Sequence, residues 1–212
     1  MDCILSDNNI FLNMDKRVII AFDFDGTITT KDTLIAFIRF SKGKFNLFLG
    51  FLLYSPLLIA YKLKLYPNWK IKQKIFSYFF KGTNLLSFNK ICEDFSKHSQ
   101  GLIRPKATKV IRAYIEKNYE LVIISASIEN WVKPFARKLG ISDIICTKPE
   151  IDSNNNLTGF FSTPNCYGIE KVNRLIENYP MIKDYYLIAY GDSEGDKELL
   201  DFADEKYYRE FE

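Results

Sequence analysis

Two aspartates one position apart follow an apolar run near the start of the sequence, where residues 18–27 read VIIAFDFDGT. A short apolar run that ends at a turn residue is typical of a strand buried in a parallel sheet. Open α/β sheets bind ligands at the carboxyl ends of such strands, and a turn at Gly26 can bring Asp25 back toward Asp23. Two carboxylates in that arrangement suit a metal site, or a nucleophile with an acid/base partner. The alternative is a strand that simply ends in solvated acids.

Two later apolar runs also end in polar residues that can take part in chemistry. Residues 120–125 (ELVIIS) end in Ser125, and residues 185–190 lead into Asp192. Asp196 follows near the first turn of a predicted helix, where a carboxylate either caps the helix or orients the water ligands of a metal. Polar groups are therefore predicted at the ends of three strands.

The elements that carry these groups follow a regular order. From residue 104 onward, predicted helices and strands alternate, and this order favours a parallel, right-handed, doubly wound sheet. The polar stretch 152–159 lies between two extended segments and predicts a hairpin. The segment between the first two core strands is helix-like instead. We therefore predict an N-terminal extension (1–16), a core domain (17–30 and 104–212) and a helical cap domain (31–103).

The predicted cap contains an uncharged stretch of 17 residues, 45–61 (FNLFLGFLLYSPLLIAY). Asp32 or Thr33 is expected to cap a preceding helix that ends at residues 41–44, and Pro56 is expected to interrupt the stretch itself. A buried helix hairpin is therefore the first interpretation. A helix pair that touches a membrane surface is the alternative, because the stretch is flanked by lysines that suit anionic head groups, namely Lys42, Lys44, Lys62 and Lys64.

The charge distribution divides the chain into a basic and an acidic part. Residues 26–104 carry 13 Lys and Arg against three acidic residues, although the net charge of the whole chain is only +3. A net charge this small does not indicate a nucleic-acid partner. A basic module over an acidic core instead fits an anion-binding site. Within this module, the helix after Pro67 is predicted to place apolar residues on one face and Lys70, Lys72 and Lys74 on the other.

The cysteines and the histidine of the sequence limit the kinds of catalytic and redox chemistry that we expect. The cysteines show neither a C-x-x-C pair nor disulfide-like spacing and are expected to be reduced thiols of a cytoplasmic protein. Asp2 and Asp7 argue against a secretory signal. His98 is the single histidine of the sequence and has no partner pattern near it, so we expect a surface or cap residue and not a member of a catalytic triad.

Four motifs in order, DFDGT, IISAS, GIEK and GDSEGD, resemble those of the haloacid dehalogenase superfamily of phosphohydrolases. The helical insertion after the first strand resembles the cap of the phosphoserine-phosphatase-like branch. The resemblance implies an α/β fold with a doubly wound, Rossmann-like parallel sheet and an inserted α-helical cap. It also implies Mg²⁺-dependent hydrolysis of a phosphate monoester.

The resemblance implies a role for each motif residue. Asp23 would be the nucleophile that forms an aspartyl-phosphate, and Asp25 would be the general acid/base. The groups expected to bind the phosphoryl oxygens are Thr27, Ser125 and Lys171, the last favoured over Lys148 by its position before the GD pair. Mg²⁺ is expected to be held by Asp23, the carbonyl of Asp25, Asp192 and, directly or through water, Asp196.

Two departures bear on the substrate. Gly195 stands where phosphoserine phosphatases usually have an asparagine, and Asp32 stands where they have a glutamate, which argues against phosphoserine. The basic cap with its apolar stretch resembles members that act on phosphorylated lipids, such as phosphatidylglycerophosphatase C. The expected partner is thus a phosphorylated small molecule or lipid, with peripheral contact to the inner face of an anionic membrane. A phosphotransferase, or a phosphate-binding module without turnover, remains an alternative.

Overall fold

The computed structural model describes residues 16–63 and 65–212, so the predicted extension lies outside the described residues except for its last residue. The fold consists of seven described strands and seven described α-helices. In chain order they are β1 (Arg17–Phe22), α1 (Thr33–Lys62), α2 (Asn68–Phe80), α3 (Leu85–His98), α4 (Pro105–Glu116), β2 (Glu120–Ile128), α5 (Glu129–Leu139), β3 (Asp143–Thr147), β4 (Pro149–Ile151), β5 (Leu157–Phe161), α6 (Ile169–Asn178), β6 (Tyr185–Gly191), α7 (Lys197–Phe202) and β7 (Glu205–Tyr208).

Five parallel strands form the main sheet in the order β3-β2-β1-β6-β7, which confirms the predicted doubly wound α/β fold. β1 lies at the centre, and its Ala21 pairs with Val122 on one side and Ala189 on the other. Alternate residues of β1 enter separate hydrophobic clusters on the two faces of the sheet, because side chains of a strand alternate in direction. This central position brings the carboxyl end of β1 between those of β2 and β6.

Helices α1 to α3 lie between β1 and α4, in the segment predicted to be the cap. Phe37 of α1 is fully buried in an aromatic cluster, with ring centroids 5.0 to 5.6 Å from those of Phe80, Phe88, Phe95 and Trp131. The two connections to the core run side by side, since Thr30 N donates to Leu102 O at 2.8 Å. The cap boundaries at residues 31 and 103 stay a prediction.

The predicted hairpin at 152–159 is present as the antiparallel pair β4–β5. Its turn is held by the carboxylate of Asp152, which accepts hydrogen bonds from Asn154 N and Asn156 N. The hairpin packs against α2 so closely that a Cβ on Gly159 would lie 2.4 Å from the Ser77 hydroxyl oxygen. The hairpin therefore supports α2, which lines the functional site.

One expectation for α1 is wrong. Asp32 caps its start as predicted, accepting from Leu34 N at 2.8 Å, and the helical backbone is interrupted at Gly43 (φ 84°, ψ 165°), within the predicted helix end at 41–44. The helical part that follows, however, is not interrupted at Pro56 and continues to Lys62. Pro56 cannot donate to the carbonyl of Leu52, and the Ser55 hydroxyl donates to that carbonyl at 2.8 Å instead. In place of the expected buried hairpin, residues 45–61 thus form a single helical segment, and six of its large apolar side chains are exposed.

Cysteine and histidine positions agree with their predicted structural roles. Cys92, Cys146 and Cys166 are buried free thiols, whereas Cys3 lies outside the described residues. His98 is exposed, and its Nδ1 contacts the Asp94 carbonyl oxygen at 2.7 Å.

Candidate active site

The turn after β1 fixes the first acidic residue. Asp23 is buried, and its N–H donates to Tyr190 O of β6 at 2.9 Å, which holds the residue at the edge of the sheet. Residues 24–28 then form a single wide turn in which Gly26 has φ 85°. A Cβ on Gly26 would lie only 2.3 Å from the Asp192 Oδ2 atom. Glycine is therefore required here both for its backbone conformation and for the room that Asp192 occupies.

The side chain of Arg104 ties this turn to the rest of the core. Its guanidinium donates to the carbonyls of Gly26 and Thr29 at 3.2 Å each, and to that of Phe211 at 3.2 Å. Sequence reasoning did not single out this arginine, because nothing in its local pattern distinguishes it from a surface cation.

Lys171 joins the carboxylates of the first and third strand ends. Its Nζ donates to Asp23 Oδ1 at 2.5 Å and also bonds Asp196 Oδ1, and the side chain is 2% exposed. The backbone directs it there, since Gly168 N donates to Gly195 O at 2.9 Å and anchors the first turn of α6 beside the third strand end. The alternative candidate, Lys148, does not contact these carboxylates, and its Nζ lies 3.6 Å from Glu129 Oε2 at the start of α5. The structure thus brings Lys171, and not Lys148, to the acidic cluster.

Asp196 organises the loop after β6. Its Oδ2 accepts hydrogen bonds from Asp192 N at 3.2 Å, from Ser193 N at 3.0 Å and from the Ser193 hydroxyl at 2.8 Å. Since Oδ1 bonds Lys171, both oxygens of this carboxylate have protein donors. The structure therefore shows the capping contact, one of the two uses that the sequence left open, and in addition a bond to the site lysine. The other use, orienting the water ligands of a metal, stays a prediction.

Asp25 faces away from this cluster, toward the start of α1. Its Oδ1 accepts from Thr33 N at 2.8 Å, and its Oδ2 accepts from the Ser127 hydroxyl. Burial, together with repulsion from Asp32, raises the pKa of Asp25, while Lys72 acts in the opposite direction. A carboxyl group that retains its proton more readily than usual suits a general acid.

The second strand carries one expected and one missed residue. β2 does not end at Ser125 but continues to Ile128, and its pairing with β3 is irregular between these two residues. Ser125 is buried and accepts from Ser127 N at 3.1 Å. Ser127 is the second serine of the IISAS motif, and a strand period of two should have indicated that it shares a face with Ser125.

Thr27 is buried, and its hydroxyl donates to Asp192 Oδ1 at 3.1 Å. In this structure the hydroxyl positions an acidic side chain. Its predicted contact with a phosphoryl oxygen, like the predicted phosphate contact of Ser125, stays a prediction.

The electrostatics of the cluster follow from three carboxylates around one ammonium group. Burial raises the pKa of Asp23 to about 8, although Lys171 opposes this shift. Burial would lower the pKa of Lys171, but the adjacent Asp23 and Asp196 outweigh it and the pKa is raised. Burial also raises the pKa of Asp192, whereas Lys171 and Ser193 overcome burial and lower that of Asp196.

The same residues fit a divalent cation. One carboxylate oxygen each of Asp23, Asp192 and Asp196 lies within 4.8 Å of the other two. Oxygen ligands of this kind are those that Mg²⁺ prefers, and the ionised cluster has two more negative than positive charges when Lys171 is counted. Asp23 and Asp192 suit direct coordination, while Asp196 suits a supporting position because its oxygens already have donors. The predicted contribution of the Asp25 carbonyl stays a prediction.

A cavity of about 440 Å³ opens onto these groups and also reaches the predicted cap. Lys72 of α2 lines it and donates from Nζ to Ala126 O at 2.8 Å, between the two serines of β2. The expectation that Lys72 lies opposite the apolar residues, together with Lys70 and Lys74, is therefore wrong. Lys72 lies two helical turns before Phe79, so the helix period itself places it on the buried side, where the acidic cavity accommodates its charge. Other lining residues are Asp32, Asn68 and Tyr167.

A parallel sheet with an acidic cluster at the carboxyl end of its central strand is typical of α/β proteins that bind a ligand at this edge of the sheet. Comparison with known proteins identifies the family. The profile of haloacid dehalogenase-like hydrolases matches residues 20–201. Protein CicA from Caulobacter vibrioides is 37% identical over 198 residues, which cover 92% of this chain and 87% of CicA. The chain belongs to the haloacid dehalogenase-like hydrolase family.

Solved structures share the fold at low sequence identity. A protein of unknown function from Bordetella pertussis Tohama I has a TM-score of 0.78 and 17% identity, covering 90% of this chain and 89% of its own. A phospho-aspartyl intermediate analogue of phosphoserine phosphatase has a TM-score of 0.62 and 18% identity, covering 90% of this chain and 85% of its own. The predicted likeness to the phosphoserine-phosphatase-like branch is thus confirmed for the fold.

Proposed function

We propose that this hydrolase is a Mg²⁺-dependent phosphatase that cleaves a phosphate monoester through an aspartyl-phosphate on Asp23. The observation that carries the proposal is the buried contact of 2.5 Å between Lys171 Nζ and Asp23 Oδ1, in a cavity that Asp25 also lines. A phosphoserine phosphatase of the same fold, solved as a phospho-aspartyl intermediate analogue, supports the proposed intermediate.

The residues of the chain divide the reaction between them. An oxygen of Asp23 attacks the phosphorus in line with the leaving oxygen, and Lys171 keeps that carboxylate oriented and offsets the charge of the phosphoryl group. Asp25, whose pKa is raised, gives its proton to the departing alkoxide. It then takes a proton from the water that attacks the aspartyl-phosphate, which releases phosphate and restores Asp23. A bound Mg²⁺ would neutralise charge between carboxylate and phosphate, with Asp23 and Asp192 as its holders.

The proposed intermediate can be tested by measuring how its phosphoryl group divides between water and an added alcohol. If every substrate passes through the same aspartyl-phosphate, the ratio of phosphate released to phosphoryl transferred to an added alcohol is the same for monoesters with different leaving groups. A ratio that changes with the leaving group would refute the intermediate. Asp23→Asn should abolish release, and full activity in that variant would also refute it. A ratio dominated by the alcohol would favour the phosphotransferase alternative.

The role of Asp25 can be tested with two leaving groups. Asp25→Asn should lower kcat/KM for alkyl monoesters by about 10² to 10⁴-fold and kcat/KM for p-nitrophenyl phosphate much less, because nitrophenolate leaves without a proton and kcat/KM does not include the later hydrolysis of the aspartyl-phosphate. Asp32→Asn is the matched control. It removes the charge next to Asp25 but keeps Asp25 itself and a residue that can cap α1, so it should not produce the same difference between the two substrates. Equal losses on both substrates in Asp25→Asn would contradict the role of a general acid.

A lipid phosphate is the second candidate substrate, favoured by the surface next to the cavity. A cleft of about 650 Å³ shares Asn68 and Tyr167 with the acidic cavity and continues along Trp69 and Phe161, which can accommodate an apolar substituent. Phosphate release with Mg²⁺ from phosphoserine, sugar phosphates, nucleotides and phosphatidylglycerophosphate in mixed micelles would decide. A preference for the lipid supports this candidate, a preference for a soluble ester removes it, and no turnover of any ester would favour a non-catalytic phosphate-binding module.

A further inference from the structure

The outward side of α1 beyond Gly43 is an apolar surface that the described part of the chain leaves uncovered. Phe45, Phe48 and Leu52 have exposed fractions of 73%, 63% and 58%. By length and composition alone, the stretch Thr33–Ala60 could cross a membrane. We use the term apolar face for the exposed side chains of Phe45, Phe48, Leu49, Leu52, Leu53 and Ile59.

The opposite side of the helix packs against α2 and sets its orientation. Gly50 is buried so tightly that a Cβ there would lie 2.4 Å from the ring of Phe79. One turn further on, the rings of Tyr54 and Tyr78 meet edge to face with centroids 5.8 Å apart. These contacts fix the rotation of α1, so the apolar face is directed away from the protein along the length of the helix.

The charges around the apolar face have one sign. From residue 33 to residue 92 the sequence holds ten Lys and Arg and no acidic residue. Lys44 and Lys62 are exposed at the two ends of the apolar face, and Lys70 and Lys74 are exposed on α2. A strip of Phe, Leu and Ile between cations matches the interfacial layer of an anionic bilayer, where acyl chains lie beneath negative head groups. We propose that the apolar face docks on the surface of an anionic phospholipid bilayer.

The geometry favours a helix that lies on the bilayer over one that spans it. Residues 44–62 form about 27 Å of helix, close to the thickness of a hydrocarbon core. However, α2 begins only five residues after α1 and returns along it, carrying three lysines of which Lys72 bonds Ala126 O in the core. A spanning α1 would have to abandon this packing or take α2 and its lysines into the lipid. Docking of the exposed side requires neither change.

A second copy of the chain is a poorer occupant. Two apolar faces packed together would bring Lys44 and Lys62 of one copy near the same cations of the other, with no acid in residues 33–92 to pair with them. An anionic bilayer supplies the missing negative charge. The charge pattern thus selects the lipid surface.

Vesicle co-sedimentation at low salt tests the proposal with the full-length protein. Vesicles of phosphatidylcholine are compared with vesicles in which part of that lipid is replaced by phosphatidylglycerol. We expect binding to rise with the phosphatidylglycerol fraction and to fall at least about tenfold in Phe48→Ser/Leu52→Gln. The matched control is Leu86→Gln/Met181→Gln, whose side chains are 78% and 65% exposed on other surfaces, and it should bind like the unmodified protein. Unchanged binding in the first variant, or equal losses in both, would overturn the proposal.

Charge and assembly supply two further readouts. Lys44→Glu/Lys62→Glu should weaken binding to anionic vesicles more than Lys133→Glu/Lys183→Glu, and the reverse order would contradict the proposal. Light scattering should find the protein without vesicles in the same assembly state as Phe48→Ser/Leu52→Gln. A dimer that this variant abolishes, without vesicle binding, would assign the apolar face to self-association and overturn the proposal. Asp23→Asn should bind vesicles normally, so failure of docking and failure of the proposed phosphatase reaction are distinguishable.

Discussion

Substitution of Gly26 by alanine separates backbone strain from damage to the acidic cluster. The new Cβ would lie 2.3 Å from Asp192 Oδ2 and 2.7 Å from its Cγ, so the carboxylate must move by roughly 1 Å to restore ordinary contact. A displacement of that size in a catalytic group can cost about 10²-fold in rate. The left-handed backbone at φ 85° adds about 1–2 kcal/mol of strain, or a fall in Tm of about 2–8 °C for a chain of this length.

Gly82→Ala is the control that shares only the strain. Gly82 has φ 76°, and an added Cβ would meet nothing within 4 Å. Without metal, Gly26→Ala should therefore lose at least as much thermal stability as Gly82→Ala, and only Gly26→Ala should lose about 10²-fold in phosphate release and most of the Mg²⁺-dependent rise in Tm. Differential scanning fluorimetry with and without Mg²⁺, together with steady-state kinetics, measures these quantities. If Gly26→Ala retained turnover within about a factor of two, the close packing of this glycine against Asp192 would not matter for catalysis.

The remaining predictions concern protons, the cap lysine and the turn. Because the pKa of Asp23 is raised to about 8, Mg²⁺ must displace a proton below that pH; calorimetry should find its affinity rising with pH by up to about tenfold per unit and levelling above pH 8. Between about pH 4 and pH 8 the metal-free folded protein binds more protons at Asp23 than the unfolded chain does. The contribution of Asp23 to the free energy of unfolding of the metal-free protein therefore falls as the pH rises through this range. Lys72→Gln should raise the pKa of Asp25 further and move the alkaline limb of the kcat profile to higher pH, whereas Lys70→Gln, an exposed neighbour, should leave it in place. Arg104→Met leaves three carbonyls without their donor and should lower the free energy of unfolding by about 2–3 kcal/mol in urea titrations, against little change in Arg112→Met.

The strand ends were predictable because their signals are local. Each core strand is a short apolar run, and the residue types that follow it are fixed by position in the chain, so Asp23, Ser125 and Asp192 could be placed at one edge of the sheet before any coordinates were known. Ser127 escaped notice because the predicted strand ended three residues early, at Ser125 instead of Ile128. The pairing of β2 with β3 becomes irregular after Ser125, and the sequence pattern does not show that β2 continues beyond this residue.

The helical insertion was less predictable because its signals depend on what stands opposite. Pro56 indicates a helix end only if the carbonyl of Leu52 has no other donor, and the preceding Ser55 supplies one. An uncharged stretch predicts burial only if another layer covers it, and α2 covers one side of α1 alone. The helix period alone places Lys72 on the same side as Phe79, whereas the acidic cavity that it lines is built from distant parts of the chain.

One helix connects the two regions of the molecule for which we propose negatively charged partners. α2 reaches the cavity through Lys72, which bonds Ala126 O between the serines of β2, and supports the apolar face through Phe79 against Gly50. Lys72 and Phe79 are seven residues apart and therefore lie on the same side of this 13-residue helix, two turns from each other. Through Lys72 this helix also opposes the rise in the pKa of Asp25 that burial and Asp32 cause. The basic insertion therefore bears on the proton affinity of the core as well as on the surface that the protein presents.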